Sequence, residues 1–549
     1  MASLRKSFFR LKTTTNVMET QLKRCLTLTD ITLLGIGHMV GAGIYVLTGS
    51  VVRNIAGPSI VISFALAGLA SFLSALCYAE FGGRFPKAGS AYTYVYIGVG
   101  ELWAFIVGWN IILEHMLGAA AVARSWSGYM SSLFGNSLKN STIVTVGHFD
   151  KSFFADSPDL IAFLAVVTVA TFTGLGTKTT TNFNSLFTII NILVIVFVVC
   201  YGFTFADFTL WSVHEVGSTG RSSFFPYGIS GTFAGAASCF FAYIGFDGLA
   251  TAGEEASDPA RTIPLATFIS MFIVTVLYIL MASALTLMIP FWKVNPSAAF
   301  SDAFANLGAT WAKYVVSVGA MSGMTTSLVP LKAVIFFSAI TSVIAFIFDI
   351  EALVEFLSIG TLLAYTIVSA CVIVLRYRPT LNENNVMEGN NENRIKSWMR
   401  GYRWISILEP GRLVLWCVFI MIFADVGISI IFATAFAHTL FGCIFIFVFG
   451  TITAAAFILI CAHHQNNEKI SFRVPLVPLI PAISVLINIF LMFHLASVTW
   501  IRLAIWLVIG LTIYGFYGIT HSREAQSDSN LITESTTYES MATISMSQE

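Results

Sequence analysis

Gly35-Ile36-Gly37-His38-Met39-Val40-Gly41-Ala42-Gly43-Ile44-Tyr45-Val46 decides how the rest of the chain is read. The stretch is apolar enough to lie in a bilayer, yet Gly35, Gly37, Gly41 and Gly43 make it a poor continuous helix. Each interior glycine costs about 1 kcal/mol relative to alanine. Open backbone at membrane depth persists only where protein or a water-filled cavity surrounds it. The stretch is therefore a candidate binding site, in which Gly41-Ala42-Gly43 unwinds so that its N–H groups hold an anionic group of a substrate.

The remaining composition describes a membrane protein. The 549 residues are 56% hydrophobic and 11% charged, with a mean hydropathy of +0.81, whereas soluble domains carry about 25% charged residues. Lys+Arg and Asp+Glu balance at 29 each, which gives no basis for nucleic-acid binding. No P-loop, metal-spacing motif or nucleophile constellation is present, so no enzyme activity, cofactor or metal is expected. The basic start, Met1 to Lys6, runs into polar residues and is not read as a cleaved signal peptide. The eight cysteines (25, 77, 200, 239, 371, 417, 443 and 461) fall in apolar runs or on the cytoplasmic side, so no structural disulfide is expected.

Apolar runs of about 20 residues lie near 31–52, 59–83, 92–123, 158–175, 183–205, 229–252 and 264–290. A double run at 311–350 follows, then 352–376, 412–432, 435–462, 474–494 and 500–520. These runs are too long for barrel strands, so an all-α polytopic membrane protein of about fourteen spans is expected. Placing the N-terminus in the cytoplasm puts most of the 29 Lys and Arg residues inside, as the positive-inside rule requires. The sequon Asn140-Ser141-Thr142 then falls in the large outer loop, which makes Asn140 a candidate glycosylation site; Asn295-Pro296-Ser297 is excluded by its proline. The chain divides into a cytoplasmic N-terminus (1–30), a transport core (31–377), a cytoplasmic loop beside anionic lipid (378–411), four C-terminal spans (412–520) and a disordered cytoplasmic tail (521–549).

A second broken span, Phe240-Phe241-Ala242-Tyr243-Ile244-Gly245-Phe246-Asp247-Gly248, follows the first at a matching place in the next set of spans. Interrupted spans in corresponding positions point to a midplane site in a transporter of inverted repeats. Spans 1–5 and 6–10 would be the two repeats, and an odd number of spans per repeat requires their inversion. Glycines that merely let helices pack closely are the plain alternative. On the transport reading, N–H groups at Gly41 to Ile44 bind a carboxylate and carbonyls of Phe241, Ala242 and Ile244 bind an ammonium. An α-amino acid presents both groups. Glu114, well inside the third span, is a candidate acceptor for a distal positive charge, against a local pairing with His115 or Arg124. Lys178, at the cytoplasmic end of span 5, reads as a snorkelling side chain on its own evidence. Asp247, Glu254 and Glu255 are candidate gate or helix anchors, and Glu80 and Glu101, close to helix ends, are expected in structural ion pairs. His38 is read as packed.

Long segments resemble the cationic amino acid transporter family of the amino acid–polyamine–organocation superfamily. They include GAGIYVLTG (41–49), CYAEFGGRFPKAGSAYTYVYIGVGELWAF (77–105), FFPYGISGTFAGAASCFFAYIGFDGLATAGEEASDPARTIP (224–264) and SIGTLLAYTIVSACVIVLRYRP (358–379). The resemblance covers about residues 25–520. It implies fourteen spans with a five-plus-five inverted repeat and discontinuous spans 1 and 6, and sodium-independent uptake of arginine, lysine and ornithine. The family's substrate sites map onto Gly41, Ala42, Gly43 and Ile44 and onto Phe241, Ala242 and Ile244. Phe241 matches an aromatic gate over the substrate, and Lys178 matches a lysine whose ammonium replaces sodium. The heavy-chain-linked exchangers need an outer-loop cysteine that this chain lacks, so no disulfide-linked heavy chain is expected.

The chain departs from the family in three places. Thr179-Thr180 follow Lys178 where the family has Glu-Ser, and Glu114 stands where many animal members have serine. After Ser327-Leu328 the chain runs directly into Val329-Pro330-Leu331-Lys332. A helix–helix connection takes about 2–8 residues, and about thirty residues of the family's spans 8 and 9 and their loop are missing here. The leading expectation is a plasma-membrane uniporter for cationic L-amino acids driven by the membrane potential, with an endolysosomal membrane as the other location. The alternatives are a broad or neutral amino acid exchanger and a transport-deficient regulatory or sensor variant.

Overall fold

The computed structural model describes residues 10, 24–85, 89–134, 137, 142–144, 147, 155, 157–174, 180–212, 224–326, 334–378, 395–396, 410–466, 472–519 and 521–522. Each expected apolar run contains a helix, and no sheet is formed among the described residues. Among the described residues, ten helical stretches are long and apolar enough to cross a membrane, and three shorter apolar helices accompany them. The chain is an all-α polytopic membrane protein. Large exposed side chains such as Leu69, Phe272, Trp416, Phe423 and Phe447 belong on the lipid side of such a bundle.

The first span is α1 (Leu28–Met39) and α2 (Thr48–Asn54), joined by a widened π-helical turn at Gly43–Leu47. Thr27 starts α1 through a capping box with Asp30, each satisfying a backbone N–H of the other. The second span is α3 (Ile60–Arg84), and the short α4 (Ser90–Gly98) connects it to α5 (Glu101–Leu133). The expected span 92–123 therefore merges two helices. They part at Gly100, whose φ of +132° favours glycine and turns the chain. Then come α6 (Leu160–Gly174), α7 (Thr180–Gly202), α8 (Gly228–Cys239), a 3-10 turn at Phe240–Tyr243, and α9 (Asp247–Thr251). The series continues with α10 (Pro259–Met288), α11 (Ala299–Asn306), α12 (Thr310–Thr326), α13 (Val334–Ile347) and α14 (Ile350–Tyr377). Four C-terminal helices follow: α15 (Pro410–Ala433), α16 (Leu440–Cys461), α17 (Leu479–Phe493) and α18 (Ser497–Ile513). The junction Leu328 to Lys332, where residues are missing from the family pattern, lies outside the described residues.

Packing repeats with the roles of the two halves exchanged. Helix α1 lies on α10, and α3 lies on α8; α5 lies on α14, and α7 lies on α12. Helix α3 meets α14 as α10 meets α7, and the connectors α4 and α11 pack on α5 and α12. Two five-span repeats produce this pattern, and an odd number of spans makes them inverted.

The long buried acids are paired near helix ends, as expected. Arg376 donates through Nε and Nη2 to Glu80 at 2.8 Å each, and Val474 N–H donates to the same carboxylate at 2.8 Å. This pair fastens α3 and α14 to the segment before α17. Glu101 accepts from Arg10 at 3.1 Å, Tyr96 at 2.9 Å and Ser522 at 3.1 Å. Arg376→Met is expected to destabilise the fold by about 3–5 kcal/mol, because Glu80 is left buried without its counter-ion. The double variant Glu80→Met/Arg376→Met is expected to cost much less, read as thermal unfolding in detergent.

Candidate functional site

The two broken spans cross each other. A Cβ placed on Gly43 would stand 2.5 Å from Ala242 Cα, so only glycine lets the first break touch the second here. Gly245, at φ +121°, lies against the backbone of His38, where a Cβ would come within 3.0 Å of the carbonyl oxygen. A single side chain fixes the crossing: the Tyr278 hydroxyl, on α10, shares its one proton between Met39 O at 2.7 Å and Ala242 O at 2.9 Å. Asn191, on α7, donates to Val40 O at 3.1 Å and accepts from the Tyr45 hydroxyl. Neither Tyr278 nor Asn191 is distinguishable in the sequence from any lone polar residue in an apolar span.

The first break is narrower than expected. It opens at Val40 and Gly41, and Ala42 is already helical at φ −55° and ψ −31°. Gly43 serves close packing rather than unwinding. The first N–H groups of a helix have no partner within it, so the helical restart after Gly41 still presents free donors toward the break. On the other strand of the crossing, Phe241 O accepts from Ile244 N–H at 3.1 Å and Ala242 O is shared with Tyr278. A carbonyl has two lone pairs, so both retain one acceptor position. Ile244 is extended at ψ 135°. Phe241 sits in the 3-10 turn, 8% exposed.

Glu114 is brought to this place. It is 8% exposed and accepts from Thr361 Oγ1, on α14, at 3.0 Å. It pairs with neither His115 nor Arg124 in any described contact: His115 turns its Nδ1 to Ile111 O, and Arg124 reaches α13. Asp247, which opens α9 just after the second break, is an electrostatic neighbour of Glu114, Tyr78, Tyr365 and His38. Aromatic rings stand around the two acids, with Tyr78 and Tyr365 at 5.0 Å and Phe246 and Tyr365 at 4.8 Å between centroids. Such faces attract a desolvated cation. Asn110, one turn before Glu114, is 1% exposed, and its amide has no partner among the described residues. His38 packs against Gly245 and Gly248 of the second break, as expected, and keeps part of its side chain exposed.

The two ends of the crossing differ. At one end Leu26 pairs with Ala256, and Cys25 and Leu26 donate to Glu255 O at 2.9 Å. At the other end Glu351, in the first turn of α14, accepts from Asn54 at 3.0 Å and from Ser50, both on α2. These hydrogen bonds tie α2 to the start of α14.

A match to the amino acid permease family spans residues 26–329, and the C-terminus of those permeases matches residues 472–522. Cationic amino acid transporter 4 of Homo sapiens is 38% identical, covering 93% of this chain and 89% of the relative. The chain belongs to the cationic amino acid transporter family. Another member, the vacuolar cationic amino acid transporter 4 of Arabidopsis thaliana, is 31% identical over 91% of this chain and 93% of its own length. The alignment with the human transporter runs over 574 positions while covering 93% of a 549-residue chain, so that transporter carries segments with no counterpart here. Family membership makes the crossing of the two breaks the candidate substrate site of a transporter, not of an enzyme. Two further candidate positions, Lys178 from the family resemblance and Asn140 from its sequon, lie outside the described residues. The residues that sequence reasoning passed over are Tyr278, Asn191, Thr361, Tyr78 and Tyr365.

Proposed function

We propose that this chain carries cationic L-amino acids, arginine, lysine and ornithine, across the plasma membrane by alternating access and without sodium. The observation that carries this reading is the pair of acids, Glu114 and Asp247, set beside the crossing of the two breaks. The substrate carboxylate takes the free N–H groups after Gly41, its ammonium the carbonyls of Phe241, Ala242 and Ile244, and its distal cation the two acids within the aromatic ring cluster. Relatives bearing the name cationic amino acid transporter support the substrate class. The positive-inside distribution supports a cytoplasmic N-terminus, so that the Glu351 latch faces outward. The family position of Lys178 supports sodium independence. Arginine uptake is expected to be equal in sodium and in choline buffer; loss of uptake in choline contradicts that part of the proposal.

The latch provides a separate prediction. Glu351→Gln is expected to release α2 from α14 and speed labelling of Thr48→Cys, which is buried on α2, by an impermeant thiol reagent several-fold. An unchanged labelling rate contradicts a gating role. A second reading, a transport-deficient regulatory form, is favoured by the segments that the human relative has and this chain lacks. Correct surface delivery without arginine flux supports it.

A further inference from the structure

At the end of the bundle where Glu351 ties α2 to α14, a cavity of about 520 Å³ lies between α5, the start of α6, the segment before α11 and the start of α14. Val46, in the widened turn that follows the first break, forms part of its wall, so the cavity touches the first span beyond the crossing. Its charged lining is Arg124, Asp159 and Asp349.

Arg124 lies beside both carboxylates, so the three groups together carry a net charge of −1. Arg124 donates through Nε to Ala345 O at 2.7 Å and through Nη2 to Phe346 O at 2.9 Å, and stands 3.9 Å from Asp159. Carbonyls orient its guanidinium, and Asp159 partly balances its charge. Asp159 caps α6 by accepting from Ala162 N–H at 2.9 Å and also accepts from Ser127 at 2.7 Å. Asp349 caps α14 by accepting from Ala352 N–H at 2.9 Å. Both carboxylates are electrostatic neighbours of Arg124. Ser131 also lines the cavity, is 5% exposed, and its hydroxyl has no protein partner among the described residues. A buried hydroxyl of that kind calls for a ligand or water.

Two carboxylates, one guanidinium and an unsatisfied hydroxyl are the complement of a solute with two cationic groups and one carboxylate. A cationic amino acid is such a solute, and the volume admits one with part of its hydration. We propose that this cavity is an entry site that holds a cationic amino acid at the outer face before it reaches the crossing of the breaks. The proposal rests on the transport reading and on its orientation. The site is separate from Glu114 and Asp247, so its loss leaves the central site intact. Its role is to raise the local concentration of substrate at the outer mouth, as clefts of one net sign do.

The test is the kinetics of labelled arginine uptake and efflux for Asp159→Asn, Asp349→Asn and the double variant. Asparagine keeps both helix caps and removes the charge. The KM for uptake from outside is expected to rise about fivefold per carboxylate, with the maximal rate per delivered molecule and the KM for efflux unchanged. Ser131→Ala, which leaves every charge in place, is expected to raise the outer KM as well. An outer KM unchanged in the double variant overturns the entry site, as does an equal rise at both faces. If the unaltered chain moves no arginine, the transport reading fails and the entry site with it. Failure of the entry site alone leaves the flux of the unaltered chain intact.

Discussion

Gly43→Val is expected to abolish amino acid flux while the protein still reaches the membrane. The Cβ alone would stand 2.5 Å from Ala242 Cα and 2.6 Å from its Cβ. The first of these is backbone, which cannot swing aside as a flexible side chain can. Overpacking of this kind costs about 1–3 kcal/mol, and here it falls where the two broken spans must keep register while the site opens to each side. Gly43→Ala is expected to retain a small fraction of the rate, and Ala242→Gly to restore part of it by removing one of the two clashes. Gly450→Ala, on α16, meets nothing within 4 Å and is expected to be silent. Flux per surface molecule checks all four; full activity of Gly43→Val contradicts the crossing.

The crossing was partly readable from the residues. Apolar length placed a helix in every expected run, and the glycines marked both interruptions because glycine weakens a helix whatever its surroundings. Their matched positions gave the repeat, and the packing of α1 on α10 against that of α3 on α8 bears it out. Local sequence could not say which glycine opens the chain and which admits a neighbour. Gly41 does the first and Gly43 the second, and the difference lies in Ala242, some two hundred positions on. The boundary of the third span was missed for a similar reason. Ser90–Gly98 is apolar enough to extend the span, and only the turn at Gly100 separates it. The acids divide along the same line. That Glu80 and Glu101 would be paired followed from their place at helix ends, but their partners Arg376 and Arg10 come from distant parts of the chain. His38 was read as packed because a lone histidine in an apolar run usually is, but its partners, Gly245 and Gly248, lie on the other broken span, which no run of residues encodes.

Glu114→Gln is expected to lower the rate of lysine and arginine uptake at low concentration by about 10- to 100-fold, the range for losing a charge-assisted contact in a buried site. Thr361 can still donate to the amide oxygen, so the local fold is kept. The neighbouring Asp247 remains, which leaves some attraction for a cation and keeps the loss short of complete. Uptake of a neutral amino acid of similar length, where the chain accepts one, is expected to fall far less. Asp247→Asn is expected to act in the same direction, and the double variant to remove discrimination in favour of cations. Equal losses for lysine and leucine would assign Glu114 to the scaffold rather than to the substrate.

The most direct measurement is labelled arginine uptake into sodium-free proteoliposomes holding the full chain, with and without an inside-negative potential. A potential of 100 mV is worth about 2.3 kcal/mol per unit charge. Arginine is therefore expected to accumulate inside many-fold when the potential is set, and only to equilibrate when it is collapsed. Uptake that ignores the potential, or no uptake by correctly inserted protein, would contradict a carrier whose paired acids and crossed spans move a cationic amino acid.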